Sequence, residues 1–154
     1  MDRAAALARF RTGMQDVLDA LAGVSDEDLD RKPPDEGWTP RMIAHHLADS
    51  EAMAYTRLRR LIADDVPVLH GYDEAGFARR LHYDRPIESS LAVLAAVRAA
   101  SLELLESLTE AEWDRHGTHT ESGPYSVDTW LSIYSEHSHD HAAQIRAALG
   151  RAAT

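Results

Sequence analysis

Cysteine is absent from this chain. Without a thiol there is no disulfide framework and no thiolate zinc site, so any protein ligand to a metal must be His, Asp or Glu. A thiol taking part in chemistry would have to arrive on a small molecule. Long apolar runs are missing too: Arg9, Arg11 and Asp16 interrupt the segment where a signal peptide would carry its apolar stretch, and no run is long enough to span a bilayer. A soluble cytoplasmic protein with no membrane partner is predicted. Positive charge is in short supply, with 16 Lys and Arg against 26 Asp and Glu for a formal net charge of −10. Neutralising a phosphate backbone needs a clustered basic surface, whereas these arginines are scattered among acids, so nucleic acid is excluded as a partner. Sustained strand alternation, repeats and low-complexity tracts are also lacking.

What remains is a chain of 154 residues, 44% hydrophobic, which fits one domain over 1–154 with a core of its own. Leu7, Phe10, Met14, Val17, Leu18 and Leu21 recur at helical spacing and predict a first helix over 3–21, stopped by Gly23. Ser25 caps a short turn ended by Pro33-Pro34. Thr39-Pro40, an N-cap followed by proline at the first helical position, opens a second long helix to about Ala63. Asp64-Asp65-Val66-Pro67 breaks it. Residues 73–81 read as a short helix in a connection, with Tyr72, Phe77 and Tyr83 as anchors. Asp84 and Pro86 open a third long helix carrying Leu91, Leu94, Val97, Leu102, Leu105 and Leu108, and Thr109 with Glu112 forms a capping box. The polar stretch 115–125, with Gly117, Gly123 and Pro124, reads as a loop. Ser126 begins a fourth helix striped by Val127, Leu131, Tyr134, Ile145 and Leu149 and stopped by Gly150. The fold class is all-α, a four-helix bundle with short extra helices in its connections.

The fourth helix carries Ser135-Glu136-His137-Ser138-His139-Asp140-His141. His137 and His141 stack on adjacent turns of one face, about 6 Å apart at Cβ, where both can reach one cation. The zinc-protease signature is not present, because Ser138 stands where that motif needs a glutamate. Wound at about 100° per residue, both rings border the core stripe while His139 and Asp140 point to solvent. On the second helix the same winding turns His46 about 60° from the apolar direction and His45 to about 160°, near the opposite side. His46, His137 and His141 then form a neutral three-His set with open positions for water or substrate, since bundle sites are built from inward side chains on facing helices. The competing reading of His46 is a core-edge histidine bonded to a neighbour. Glu51 lies about 80° to the other side of its stripe and reads either as a ligand-orienting carboxylate or base, or as a boundary carboxylate paired with an arginine. Asp49 points further outward.

Trp38-Thr39-Pro40 followed by His46-Leu47-Ala48-Asp49-Ser50-Glu51, and later His137-Ser138-His139-Asp140-His141-Ala142-Ala143-Gln144-Ile145, resemble the DinB-like (DinB/YfiT) superfamily of metalloproteins. The segment Arg115-His116-Gly117-Thr118-His119-Thr120-Glu121-Ser122-Gly123 before the fourth helix belongs to the same pattern. The resemblance spans nearly the whole chain. It implies a four-helix bundle, often dimeric, holding a divalent ion, commonly zinc or nickel, on His46, His137 and His141. It further implies that the ion activates a low-molecular-weight thiol or a water, with residues 116 to 125 at the substrate mouth and His119 and Glu121 as proton-transfer or ligand-supporting groups. Solvated loop residues without a role are the alternative for those two. Tyr134 reads as packing.

Two functions of different class follow. One is a metal-dependent enzyme acting on a small-molecule substrate through an activated thiol or water, an S-transferase or hydrolase, in a homodimer. The other is a metal-binding or stress-associated protein without catalysis. A bundle that holds no metal is a third.

Overall fold

The computed structural model describes residues 1–33 and 37–151. Four long helices dominate it: α1 (Arg3–Leu21), α3 (Pro40–Ala63), α5 (Glu88–Ser107) and α7 (Val127–Ala148). Shorter helices α2 (Asp26–Leu29), α4 (Glu74–Arg80) and α6 (Glu110–Trp113) sit in the connections. Side-chain oxygens satisfy the free N–H groups where the helices start. Asp2 accepts from Ala5 N, Thr39 from Met42 N, Asp73 from Gly76 N and Ser126 from Thr129 N. Thr109 and Glu112 close their capping box at α6. The third long helix starts later than its proline suggests, at Glu88, with Ile87 at the cap and no side-chain cap bond.

Helix α1 packs on α7, α3 packs on both α5 and α7, and α1 also meets α5. The core has two main clusters. Phe10, Leu58, Leu61, Leu105, Trp130 and Leu131 fill one, and Val17, Ile43, Leu47, Leu94, Ala142 and Ile145 fill the other. Trp130 satisfies its indole N–H on the Ala54 carbonyl at 2.8 Å, which locks α7 to α3. Leu18, placed by its spacing on the buried stripe of α1, is 40% exposed, because the stripe is wider than the surface its neighbours cover.

The stretch 115–125 is not a loop. It forms a hairpin of β2 (His116–His119) and β3 (Gly123–Ser126), and β1 (Val68–Leu69) adds in parallel to β2. Gly117 is required here: a Cβ on it would stand 2.4 Å from the Pro67 carbonyl oxygen, and Thr118 N donates to that same oxygen at 2.9 Å. Arg115 fastens the hairpin to the bundle by donating to the carbonyls of Leu61 and Asp64 at the end of α3, where a cation also meets the negative end of the helix dipole. Among the described residues no helix is long and apolar enough to cross a membrane. Of the Pro33-Pro34 pair, Pro34 lies outside the described residues.

Candidate metal centre

Helices α3 and α7 bring His46, His137 and His141 into one space, where their ligand nitrogens all lie within 4.8 Å of one another. The rings meet edge-on, with centroids 4.8 Å apart for His46 and His141, 4.7 Å for His137 and His141, and 5.6 Å for His46 and His137. Three nitrogens sharing one ion at about 2.0–2.1 Å stand roughly 3.3 Å from each other, so modest side-chain rotation closes the set.

His46 is 3% exposed, and its Nδ1 is buried without a hydrogen-bond partner. An orphaned buried nitrogen is unfavourable by about 1–3 kcal/mol, so a ring left in this state fits a site that a cation completes. Burial, reinforced by the neighbouring rings of His141 and His137, pulls His46 down to about 3. Burial and His137 likewise pull His141 down to about 4, against the hydrogen bond to Gln144. Both rings are therefore neutral at pH 7 and have lone pairs to give. The His141 Nδ1–H donates to Gln144 Oε1 at 2.9 Å, which leaves Nε2 as its ligand atom.

The three rings line a cavity of about 530 Å³ together with Trp38, Glu74 and Gln144. Trp38 stands edge-on to His46 at 4.6 Å and forms the apolar wall. Trp38 and Gln144 belong to the family pattern in the sequence, which gives neither a role, and Glu74 lies outside that pattern. A signal existed for Gln144, three residues after His141 on the same helical face. Glu74 has none, since only the path of the α3–α5 connection brings it there.

Glu51 is 2% exposed and does not line the cavity. Its Oε1 forms an ion pair with Arg98, accepts from Ser138 Oγ at 3.1 Å, and lies 3.5 Å from His137 Nδ1. Asp49 faces away and accepts from the Tyr83 hydroxyl at 2.6 Å. His119 is buried on β2, its ring 5.6 Å from Tyr125 and its Nδ1 accepting from Glu121 N at 3.3 Å. Burial and Arg57 lower the pKa of His119. Glu121 is exposed, with its carboxylate lying over Gly71. Neither His119 nor Glu121 lines the cavity of the three histidines. Tyr134 is buried, with its ring 5.5 Å from that of His137.

Two histidines depart from the helical-wheel expectation. His139, assigned to solvent, is only 8% exposed: Nδ1 is 2.6 Å from Asp16 Oδ2 and Nε2 3.0 Å from the Arg9 carbonyl, because α1 covers that flank of α7. Burial tends to raise the Asp16 carboxyl, but hydrogen bonds from His139 and Arg146 outweigh it and hold the group below its usual range. His45, placed opposite the apolar direction, is fully buried under α5, with Nδ1 2.7 Å from Ser90 Oγ and Nε2 3.0 Å from the Arg85 carbonyl. Asp140 is exposed, as its position on the wheel requires.

Residues 9–145 match the sequence model of the DinB superfamily. The chain belongs to the DinB superfamily. A protein of Oceanobacillus iheyensis named as a candidate metal-dependent hydrolase is 37% identical over 129 residues, which cover 84% of this chain and 75% of that one. YfiT of Bacillus subtilis, named in the same way, is 31% identical over 128 residues, covering 82% and 72% of the two chains. The solved YfiT structure, described as having an unusual four-helix bundle topology, superposes with a TM-score of 0.87 at 25% identity, covering 97% of this chain and 88% of that one. A mycothiol-dependent maleylpyruvate isomerase shares the fold, with a TM-score of 0.74 at 17% identity over all of this chain and 63% of that one.

Proposed function

We propose that this DinB protein is a metal-dependent enzyme in which His46, His137 and His141 hold one divalent ion, zinc or nickel, at the floor of the cavity. The observation that carries the reading is three imidazoles gathered within 4.8 Å, one of them with an orphaned buried nitrogen. The naming of its relatives as candidate metal-dependent hydrolases supports it. When bound, such an ion lowers the pKa of a coordinated thiol or water and keeps the nucleophile deprotonated at neutral pH.

The chain's own residues supply the rest. Trp38 packs against the apolar part of a small-molecule substrate. Glu74 is the one carboxylate among the described residues lining the cavity, and it accepts or returns a proton at the mouth. A thiol held there would need no dedicated base to ionise, whereas attack by water would benefit from one close by. A cavity with a single peripheral carboxylate therefore favours S-transfer from a low-molecular-weight thiol over hydrolysis. In this reading the working unit is a homodimer, and His119 and Glu121 stand outside the cavity lining.

Elemental analysis of the purified protein, followed by cobalt or nickel loading, tests the metal. Bacillithiol, mycothiol and glutathione are then added in turn. The expected result is a perturbed metal spectrum with one thiol, which is consumed with an electrophile. Hydrolysis of esters or amides with no thiol present selects the water reading, and neither activity selects a metal-binding protein without catalysis. Substituting His119 or Glu121 by alanine lowers turnover with zinc content unchanged if those residues serve the substrate. Sedimentation equilibrium checks the dimer.

A further inference from the structure

Behind the metal centre lies a second buried polar group that the proposed reaction does not use. Arg98 on α5 is 4% exposed, and its guanidinium reaches all three other long helices. It pairs with Glu51 of α3 and donates to Ser138 Oγ at 2.9 Å and to the Tyr134 carbonyl at 3.5 Å on α7. Its other terminal nitrogen donates to the Phe10 carbonyl of α1 at 2.5 Å, and Cζ lies 3.9 Å over the Phe10 ring. Burial lowers the pKa of Arg98 and the Glu51 charge opposes this, so the carboxylate and guanidinium form a matched pair.

A buried ion pair of this kind is weak support for stability, since apolar residues of equal volume often do as well. Its position indicates another purpose. Glu51 is turned away from the cavity and towards the Nδ1 side of His137, so it reaches neither substrate nor attacking water. We propose that Glu51 is a positioning residue: held by Arg98, it fixes the proton of His137 on Nδ1 and aims Nε2 at the ion. This rests on the metal reading above. Metal-bound histidines commonly donate their second nitrogen to a carboxylate, and the donation sets the tautomer, the ring orientation and the ligand's basicity. Gln144 does the same for His141 from the solvent side, with a neutral oxygen.

Gly13 extends the relay to α1. Glycine inside a helix is unfavourable by about 1 kcal/mol relative to alanine. Here a Cβ would stand 2.7 Å from Arg98 Nη2 and 3.0 Å from Ser138 Cβ. The guanidinium cannot readily yield, because Phe10, Glu51, Tyr134 and Ser138 all hold it. Gly13 therefore leaves the room in which Nη2 of Arg98 lies against α1 and bonds the Phe10 carbonyl, so filling that room would disturb the guanidinium that holds Glu51.

The test is the double variant Glu51→Met/Arg98→Met, which removes both charges at similar volume. Zinc affinity is measured by chelator competition, cobalt absorption is recorded, and the metal-free melting temperature is compared with wild type. Zinc affinity is expected to fall about 10- to 100-fold, with an altered cobalt spectrum and a melting temperature no lower than wild type. Gly13→Ala should weaken zinc in the same direction by a smaller factor. A folded double variant with wild-type zinc affinity and an unaltered cobalt spectrum overturns the inference alone. Wild-type protein that takes up no zinc overturns the metal reading and this inference together. Should the double variant not fold, long-range ¹H–¹⁵N correlation of zinc-loaded wild type decides: a proton on His137 Nδ1 supports the relay, and a proton on Nε2 overturns it.

Discussion

Helices α3 and α7 each carry histidines on two flanks, and the flanks differ in one respect. Between the helices, His46, His137 and His141 gather their nitrogens around a common space, and His46 Nδ1 has no protein partner. On the outer flanks, against α5 and α1, His45 and His139 have both ring nitrogens within hydrogen-bond reach of protein atoms. Burial alone does not separate the two groups, since His46, at 3% exposed, falls between His45 at 0% and His139 at 8%. Neither does sequence, since His45 adjoins His46 and His139 lies between the other two. What separates the two flanks is whether protein atoms occupy both ring nitrogens, as they do for His45 and His139.

The largest effect expected from that contrast is on metal content. If the site holds an ion as proposed, His46→Ala should take bound divalent metal from one per chain to none, measured by elemental analysis after gel filtration, while the metal-free fold weakens by no more than about 1–2 kcal/mol. His45→Ala should do the reverse. It strips partners from Ser90 Oγ and the Arg85 carbonyl in a fully buried position, so a loss of about 2–4 kcal/mol in urea unfolding is expected, with the zinc stoichiometry intact. If both variants lose zinc equally, the distinction between the flanks fails.

The sequence was legible where local rules govern. N-caps at Ser25 and Thr39, the capping box at Thr109 and the stripe of α7 mark elements that need only neighbouring residues to form. The His46, His137 and His141 cluster was legible for the same reason, because helical winding fixes which side chains share a face. His45 and His139 were misplaced because a helical wheel assumes one buried stripe, whereas α3 is flanked by both α5 and α7, and α7 by both α3 and α1. The hairpin escaped because His116–His119 is a short polar segment whose pairing draws on β1 and the Pro67 carbonyl, far away in sequence. Arg98, in an Ala- and Leu-rich helix, carried no local sign that it crosses the core to Glu51.

Acid should separate the flanks next. The unfolded chain protonates histidine near the ordinary value of about 6.5, while the folded, metal-free protein holds His46 at about 3 and His141 at about 4. Between those values the unfolded state binds more protons. The stability that goes with neutral rings is thus fully present above pH 6.5 and is lost as pH falls towards 4, at up to about 1.4 kcal/mol per pH unit for each ring. Urea midpoints of the chelator-treated protein from pH 7 to 4.5 measure it. In His46→Phe the slope should be visibly shallower; an unchanged slope would show that the site's rings are not held neutral.

The smallest expected effect is at Glu136, next to His137 in sequence but pointing the other way. Its carboxylate meets Arg9 of α1 at 3.0 Å, with the two side chains 51% and 47% exposed, so the pair is solvated and worth about 0.2–1 kcal/mol at most. Removing it leaves α1 fastened to this stretch of α7, because His139 Nε2 still reaches the Arg9 carbonyl at 3.0 Å and Asp16 still holds the other ring nitrogen. Glu136→Ala should therefore shift the urea midpoint slightly and leave zinc affinity within twofold of wild type. A large loss of zinc from this variant would mean that α7 transmits strain along its backbone to His137. The identity of a ligand would then depend on how the whole helix is seated, and an account based on ring nitrogens alone would be insufficient.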